Sequence, residues 1–278
     1  MIAFYVQGGG LGHLTRIHKL IQYLKIDAKE VLIITPSKFL ELFTSYFFVR
    51  ISWNGSSEDW SKKITEQLLL HNIKQCYVDA FPLGIKGELI PVYRALPSIS
   101  YIYICRILQW KKYVSIIPKD LIPNFTKTLV LEKIYEEHLN WAHEVSKHVQ
   151  VVQLPLVLPK ENVKLSNTPY ALVIHSGNQK DVIELCKKAK TAIANDILSI
   201  YVFTQVHIAF DDKRFHIRVQ KYPVDQYFKY ANKIITAAGF NLIHELEPYH
   251  KKHIVIPIDR LYDDQFFRAQ NCAALSLK

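Results

Sequence analysis

The sequence predicts an α/β protein built from two parallel-sheet domains. Two observations carry that expectation. Strand-length apolar runs alternate with segments of helical period along the whole chain, and the alternation stops once, at a proline-rich stretch, before starting again. The first set of runs is 2–6 (IAFYV), 31–35 (VLIIT), 47–51 (FFVRI), 75–79 (QCYVD) and 99–105 (ISYIYIC), followed by 128–131 and 149–153. Between them, segments such as 14–25 and 58–72 space Leu and Ile at helical intervals. Strands that are apolar at nearly every position, rather than at alternate ones, belong to parallel sheets covered on both faces.

The interruption is LPLVLPKENVKLSNTP at 154–169, with three prolines. After it the pattern resumes with YALVIHSG (170–177), a helix over 179–194, SIYVFT (199–204), FHIRV (215–219), KIITAAG (233–239) and HIVIP (253–257). The expected division is therefore a first Rossmann-like domain over 1–155, a linker over 156–168 and a second Rossmann-like domain over 169–278. A length of 278 residues suits two domains of ordinary size.

Composition narrows the classes. Hydrophobic residues are 49% and charged residues 22%, enough for real cores and unlike a disordered chain. No apolar run approaches the ~18 residues of a membrane span, and the opening MIAFYVQ reads as a strand rather than a signal peptide. A cytoplasmic protein is expected. Cys76, Cys105, Cys186 and Cys272 form no CxxC pair, and buried free thiols are expected. The net charge of +10 is spread evenly: 18 Lys/Arg against 13 Asp/Glu in 1–150, and 17 against 12 in 151–278. Such a spread suits a phosphorylated ligand or peripheral contact with an anionic membrane, and lacks the dense basic arm of a nucleic-acid binder.

Four of the nine glycines fall in residues 8–12, in GGGLGHLTR (8–16), between the first strand and the first helix. Glycine there lets the backbone turn sharply and approach a ligand. The dinucleotide fingerprint fails because His13 stands where the third glycine is needed, and the Walker pattern fails at Gly12-His13-Leu14. A histidine at the carboxyl end of a strand is placed where open α/β sheets bind ligands, and its ordinary pKa of ~6.5 suits a general base. A histidine that merely packs the turn is the alternative. In the second half, ITAAGFNLIHEL (235–246) again reads strand, tight turn, helix, with Gly239-Phe240-Asn241 at the helix start and Glu245 further along. Free amides there suit a diphosphate. Asp264 and Gln265 follow on a loop that enters a last helix, able to bracket sugar hydroxyls.

Together these two blocks resemble the MurG-like glycosyltransferases and the wider UDP-glycosyltransferase superfamily. GGGLGHLTR is similar to their GG-x-x-GH loop, and ANKIITAAGFNLIHEL…HIVIPI…DDQ to their donor-binding half. The resemblance implies the GT-B fold, two Rossmann-like domains facing a central cleft. It implies a hexosyl- or N-acetylhexosaminyltransferase acting on a nucleotide sugar, UDP-linked, toward an unidentified sugar or lipid-linked acceptor, with inversion and without a metal or other cofactor. Carried over by position, His13 would be the base, and Gly10 and Gly12 would shape its loop. Ser176 and Gly177 would approach the phosphates, and Tyr222, Pro223 and Val224 would read the base. Ala238, Gly239 and Phe240 would form the diphosphate turn, Glu245 would hold ribose, and Asp264 and Gln265 would contact the sugar. Two departures stand out: Ala237-Ala238-Gly239 where relatives often carry Arg-Ser-Gly, and Arg268 where an asparagine is usual. A nucleotide-sugar hydrolase with the same loop, and a nucleotide-binding module without catalysis, are the rival readings.

Other candidates are weaker. Asp79 ends the fourth strand and, like Glu88 beyond it, could face the ligand or cap a loop. HELEPYH (244–250) fails as a zinc helix because Pro248 replaces the second histidine, and His138 and His143 do not share a face, so no metal site is expected. Trp110-Lys111-Lys112 reads as a surface loop with a partly buried tryptophan, rather than a membrane contact.

Overall fold

A computed structural model describes residues 1–8, 10–115, 123–193, 197–272 and 275–276. Gly9 of the glycine loop lies outside the described residues. The chain divides into two compact units, one of Met1–Pro155 with Leu261–Asp263, the other of Leu156–Arg260 with Asp264–Lys278.

The first unit is a seven-stranded sheet. Its strands are β1 (Ile2–Val6), β2 (Val31–Thr35), β3 (Phe47–Arg50), β4 (Gln75–Asp79), β5 (Ser100–Cys105), β6 (Lys127–Val130) and β7 (Val149–Val151). All pair in parallel in the order β3-β2-β1-β4-β5-β6-β7. The central strands are buried almost throughout, which is why their sequences show no polar alternation. The edges differ: Phe47 on β3 and Val151 on β7 are exposed.

Among the described residues, five helices accompany this sheet: α1 (Leu11–Tyr23), α2 (Ser57–Leu70), α3 (Leu89–Ala95), α4 (Trp110–Val114) and α5 (Glu136–Val145). The apolar stripe of α1, Leu14, Ile17, Leu20 and Ile21, is buried at helical spacing. The segment read as a loop at 110–112 is instead the start of α4. Trp110 is buried and stacks on His138 of α5 at 3.9 Å, so the indole belongs to the core and not to any membrane contact, while Lys111 and Lys112 stay exposed.

The second unit repeats the plan. Its strands β8 (Tyr170–His175), β9 (Ser199–Thr204), β10 (Phe215–Val219), β11 (Lys233–Thr236), β12 (His253–Val255) and β13 (Leu275–Ser276) lie parallel in the order β10-β9-β8-β11-β12-β13. Helix α6 (Gln179–Ala192) packs on one face through Val182, Leu185, Cys186 and Ala189. The short α7 (Phe240–Glu245) covers part of the other face with Leu242, and α8 (Gln265–Asn271) closes the unit. Pro248 follows α7 inside a kinked 3₁₀ segment, as its missing N–H requires. Residues 152–169 carry no regular element, and Val163 N–H donates to the Gln226 carbonyl at 2.8 Å, which ties that part of the stretch to the second unit. Among the described residues no helix is long and apolar enough to cross a membrane.

Helix α2 opens with a full capping box, in which Ser56 Oγ accepts from Asp59 N–H and Asp59 returns a bond from Ser56 N–H, both at 3.0 Å. Ser56→Ala should therefore lower stability by about 1 kcal/mol in urea unfolding with an unchanged m-value.

Candidate active site

In a doubly wound sheet the chain leaves neighbouring strands in opposite directions at one place, and ligands bind outside the carboxyl ends there. In the first unit that place is the gap between β1 and β4. Their register sets Val6 beside Asp79, so the loop after β1 and the last residue of β4 meet. His13, in the first turn of α1, reaches Asp79: Nδ1 lies 2.7 Å from Oδ2. Arg16, one turn further along α1, takes both carboxylate oxygens, with Nη2 at 2.6 Å and 2.8 Å and Nε at 3.0 Å.

These contacts fix the tautomer. Asp79 is fully buried, and burial alone would raise its pKa, but the Arg16 guanidinium outweighs that and holds the carboxyl well below the usual range. An ionised Asp79 can only accept, so His13 Nδ1 carries the proton and donates to it. Arg16 Nη2 stands 3.0 Å from the same nitrogen, where two donors face each other and the carboxylate holds both. The lone pair is then on Nε2, and His13 is the one member of the three with appreciable exposure: the side chains are 17% exposed for His13, 3% for Arg16 and 0% for Asp79. Burial lowers the His13 pKa, opposed by the bond to Asp79 and reinforced by the charges of Arg16 and Arg106.

Glycine is dictated at one point of this loop. Gly8 has φ of +142°, and a Cβ on it would stand 2.4 Å from His13 Cδ2 and 2.6 Å from Nε2. The imidazole rests on bare backbone. Gly10, the N-cap of α1, is exposed and a Cβ there would meet nothing within 4 Å, so its role is open space rather than a forced turn. Gly12 is the second residue of α1, half-buried. Beyond Asp79, Ala80 sits at φ of +67°, a left-handed conformation that costs an alanine about 1 kcal/mol. Glu88, the other carboxylate noted in the sequence, turns inward. It is fully buried and accepts from Tyr5 Oη at 2.5 Å and from the Ile85 and Lys86 amides at 3.1 Å and 2.7 Å, a structural role under β1.

The second unit has its own reversal between β8 and β11, whose register sets Ile174 beside Thr236. The loops after these strands are therefore neighbours. Ser176 is exposed, and Gly177 lies against the His175 ring, which a Cβ would strike at 2.3 Å. After β11, Ala238 is buried, and its carbonyl accepts from Arg268 Nη1 at 2.8 Å. Gly239 caps α7 with open space around its missing Cβ, and Phe240 is buried with its ring stacked on His244. Glu245 is the last residue of α7 and half-buried. Tyr222 and Val224 are half-buried, Val224 packing on the core that includes Phe228.

Asp264 and Gln265 have tasks within the fold. Asp264 caps α8, its Oδ1 accepting from Phe267 N–H at 2.9 Å, and the buried Gln265 accepts from Ile258 N–H at 3.0 Å through Oε1. Sequence reasoning passed over Arg16, whose signal was its i+3 spacing from His13 on one helix face, and it noted Arg268 only as a departure. Gly8→Ala should displace the imidazole and weaken the His13–Asp79 bond, read as a change in the histidine side-chain NMR signals of a chain that remains folded.

No protein-family model and no curated protein sequence matches the chain. Solved structures do. The glycotransferase of kitacinnamycin is 13% identical and superposes with a TM-score of 0.66 over 100% of this chain and 85% of its own. MurG of Acinetobacter baumannii is 11% identical, with a TM-score of 0.55 over 100% and 86%. S. aureus MnaA, solved with UDP, is 12% identical, with a TM-score of 0.64 over 92% and 79%. The chain has the α/β fold of GT-B glycosyltransferases and of MnaA.

Proposed function

We propose that the protein is an inverting, metal-independent glycosyltransferase that moves a hexosyl or N-acetylhexosaminyl group from a UDP-linked donor to an acceptor hydroxyl, with His13 as the base. The observation that carries this reading is the His13–Asp79–Arg16 arrangement at the β1/β4 reversal. An imidazole locked through Nδ1, partly exposed and carrying its lone pair on Nε2, suits taking a proton better than filling a core.

In this reading the acceptor hydroxyl donates to His13 Nε2 as its oxygen attacks the anomeric carbon. The resulting imidazolium is stabilised by Asp79. Arg16 keeps Asp79 ionised, so the carboxylate steadies the cation without taking the proton. The departing diphosphate gathers negative charge and is met by amides of the loops after β8 and β11, with Ser176, Gly177, Gly239 and Phe240 nearest and the 14-residue α6 adding its dipole. Tyr222 and Val224 face the nucleobase, Glu245 the ribose, and Asp264 and Gln265 the sugar. Support for a nucleotide donor comes from the fold shared with MurG and with MnaA, the latter solved with UDP. The acceptor and any peripheral membrane contact are left to experiment.

His13→Ala should abolish turnover, by a factor of about 10² or more, while UDP still binds in calorimetry; unchanged turnover removes the proposed base. Incubation of UDP sugars without acceptor separates transfer from hydrolysis, since release of free sugar at catalytic rates assigns water as the acceptor. The pH dependence has a definite sign. The active form is neutral His13, and burial and Arg16 lower its pKa. Activity should therefore be full at pH 7 and fall on an acid limb whose midpoint lies below ~6.5, the ordinary histidine value.

A further inference from the structure

The second unit contains another His–Asp–Arg cluster at its own strand reversal. His175 ends β8, Asp181 is in the first turn of α6, and Arg260 lies between β12 and α8. Arg260 Nη1 donates to Asp181 Oδ2 at 2.6 Å and Nη2 to His175 Nε2 at 3.2 Å. Because β8 and β12 flank β11 on either side, this bridge joins chain segments from both sides of the β11 turn at Ala237–Gly239. The loop after β8 is fitted to the cluster: a Cβ on Gly177 would stand 2.3 Å from His175 Nε2 and 3.2 Å from Asp181 Oδ2.

The two clusters hold the same three residue types with a different member outermost. In the first, the arginine and aspartate are sealed and the histidine looks out. In the second, the His175 and Asp181 side chains are 10% and 12% exposed, and Arg260 is the outward member at 28%. A sealed ion pair behind an exposed imidazole presents a lone pair. A largely buried imidazole and carboxylate behind a more exposed guanidinium present a cation held at two of its nitrogens. Fixing it in advance reduces the ordering cost of binding.

We propose that the His175–Asp181–Arg260 cluster is an anion seat in which Arg260 binds a phosphoryl group of the donor's diphosphate. The assignment rests on the donor reading above and adds to it the residue that recognises the phosphate charge. Asp181 and His175 aim the guanidinium, whose delocalised charge and remaining valences suit phosphoryl oxygens. The β11 turn beside it carries Ala237 and Ala238, with neither charge nor hydroxyl. On the described residues, Arg260 supplies from the loop after β12 a cation that the turn itself lacks.

Calorimetry on the full chain with UDP, dTDP, UMP and uridine tests this, because an ion pair with only a structural role is broken equally from either end. Arg260→Gln should weaken the nucleoside diphosphate by about ten- to a hundredfold, the range of a hydrogen bond to a charged group, and UMP less, and leave uridine unchanged. Asp181→Asn keeps an amide oxygen to accept from Arg260 and so to aim it, while removing a negative charge, so diphosphate binding should be kept or tightened. Equal losses in both variants across all ligands would make the cluster a structural ion pair and overturn the proposal. Diphosphate affinity unchanged in Arg260→Gln would overturn it too, and leave the donor reading standing. A wild-type chain that binds neither UDP nor dTDP removes both. Should Arg260→Gln fail to fold, Arg260→Lys serves: part of the preference for diphosphate over uridine must survive with the charge, and a preference identical to wild type refutes the need for the guanidinium fork.

Discussion

Asp79 is a carboxylate with no access to water at the end of a parallel strand. An ion in that position must be compensated by its neighbours or protonated. The compensation comes from one helix: Arg16 spans both oxygens and His13 adds an N–H, both within four residues of each other on α1. The pair of partners therefore orients α1 relative to β4, and the glycine loop, which joins α1 to β1, must run where that orientation sends it. Gly8 has no room for a side chain because the imidazole already occupies the space. The site is thus a consequence of solving one burial problem, and the solution leaves a single imidazole nitrogen, Nε2, without a proton.

The same arrangement makes the site acid-sensitive in two ways of one sign. Asp79 and His13 both have depressed pKa values in the folded chain. Each contributes stability that is present above its unfolded pKa and is lost as pH falls through the folded value. For His13 that window opens below ~6.5, and for Asp79 below ~3.9. Moderate acid would reach the imidazole first, well before the ion pair behind it is titrated.

The strands were legible because parallel strands buried on both faces leave no polar residues to blur their limits; β1, β2, β4 and β9 fall where the apolar runs fall. The limits of α1 were less so, since a helix that opens at Gly10 without a side-chain cap carries no capping residue to read. At the sites, His13 and the glycines were visible because their meaning is local. Asp79 was visible only as a strand end. Its bond to His13 spans 66 residues and depends on the β1/β4 register, which no local pattern states. The same holds for Arg260, whose partner Asp181 is 79 residues away. Asp264 and Gln265 show the converse: a motif was readable, yet their bonds to Phe267 and Ile258 also serve the start of α8.

Arg268 shows how a departure in sequence acquires a physical meaning. The turn after β11 carries two alanines, Ala237 and Ala238, and so brings neither charge nor hydroxyl of its own. Alanine at 238 is buried against Val255 and Ala269, so the turn is packed rather than solvated. The guanidinium of Arg268, on α8, then reaches the Ala238 carbonyl from behind, at 2.8 Å, and is itself buried. Because the peptide is planar and trans, the Gly239 N–H points away from the Ala238 carbonyl that Arg268 holds. Arg268, thirty residues further on, thus holds the backbone of the turn through a buried, charge-assisted hydrogen bond, and the small alanines leave room for the two segments to pack.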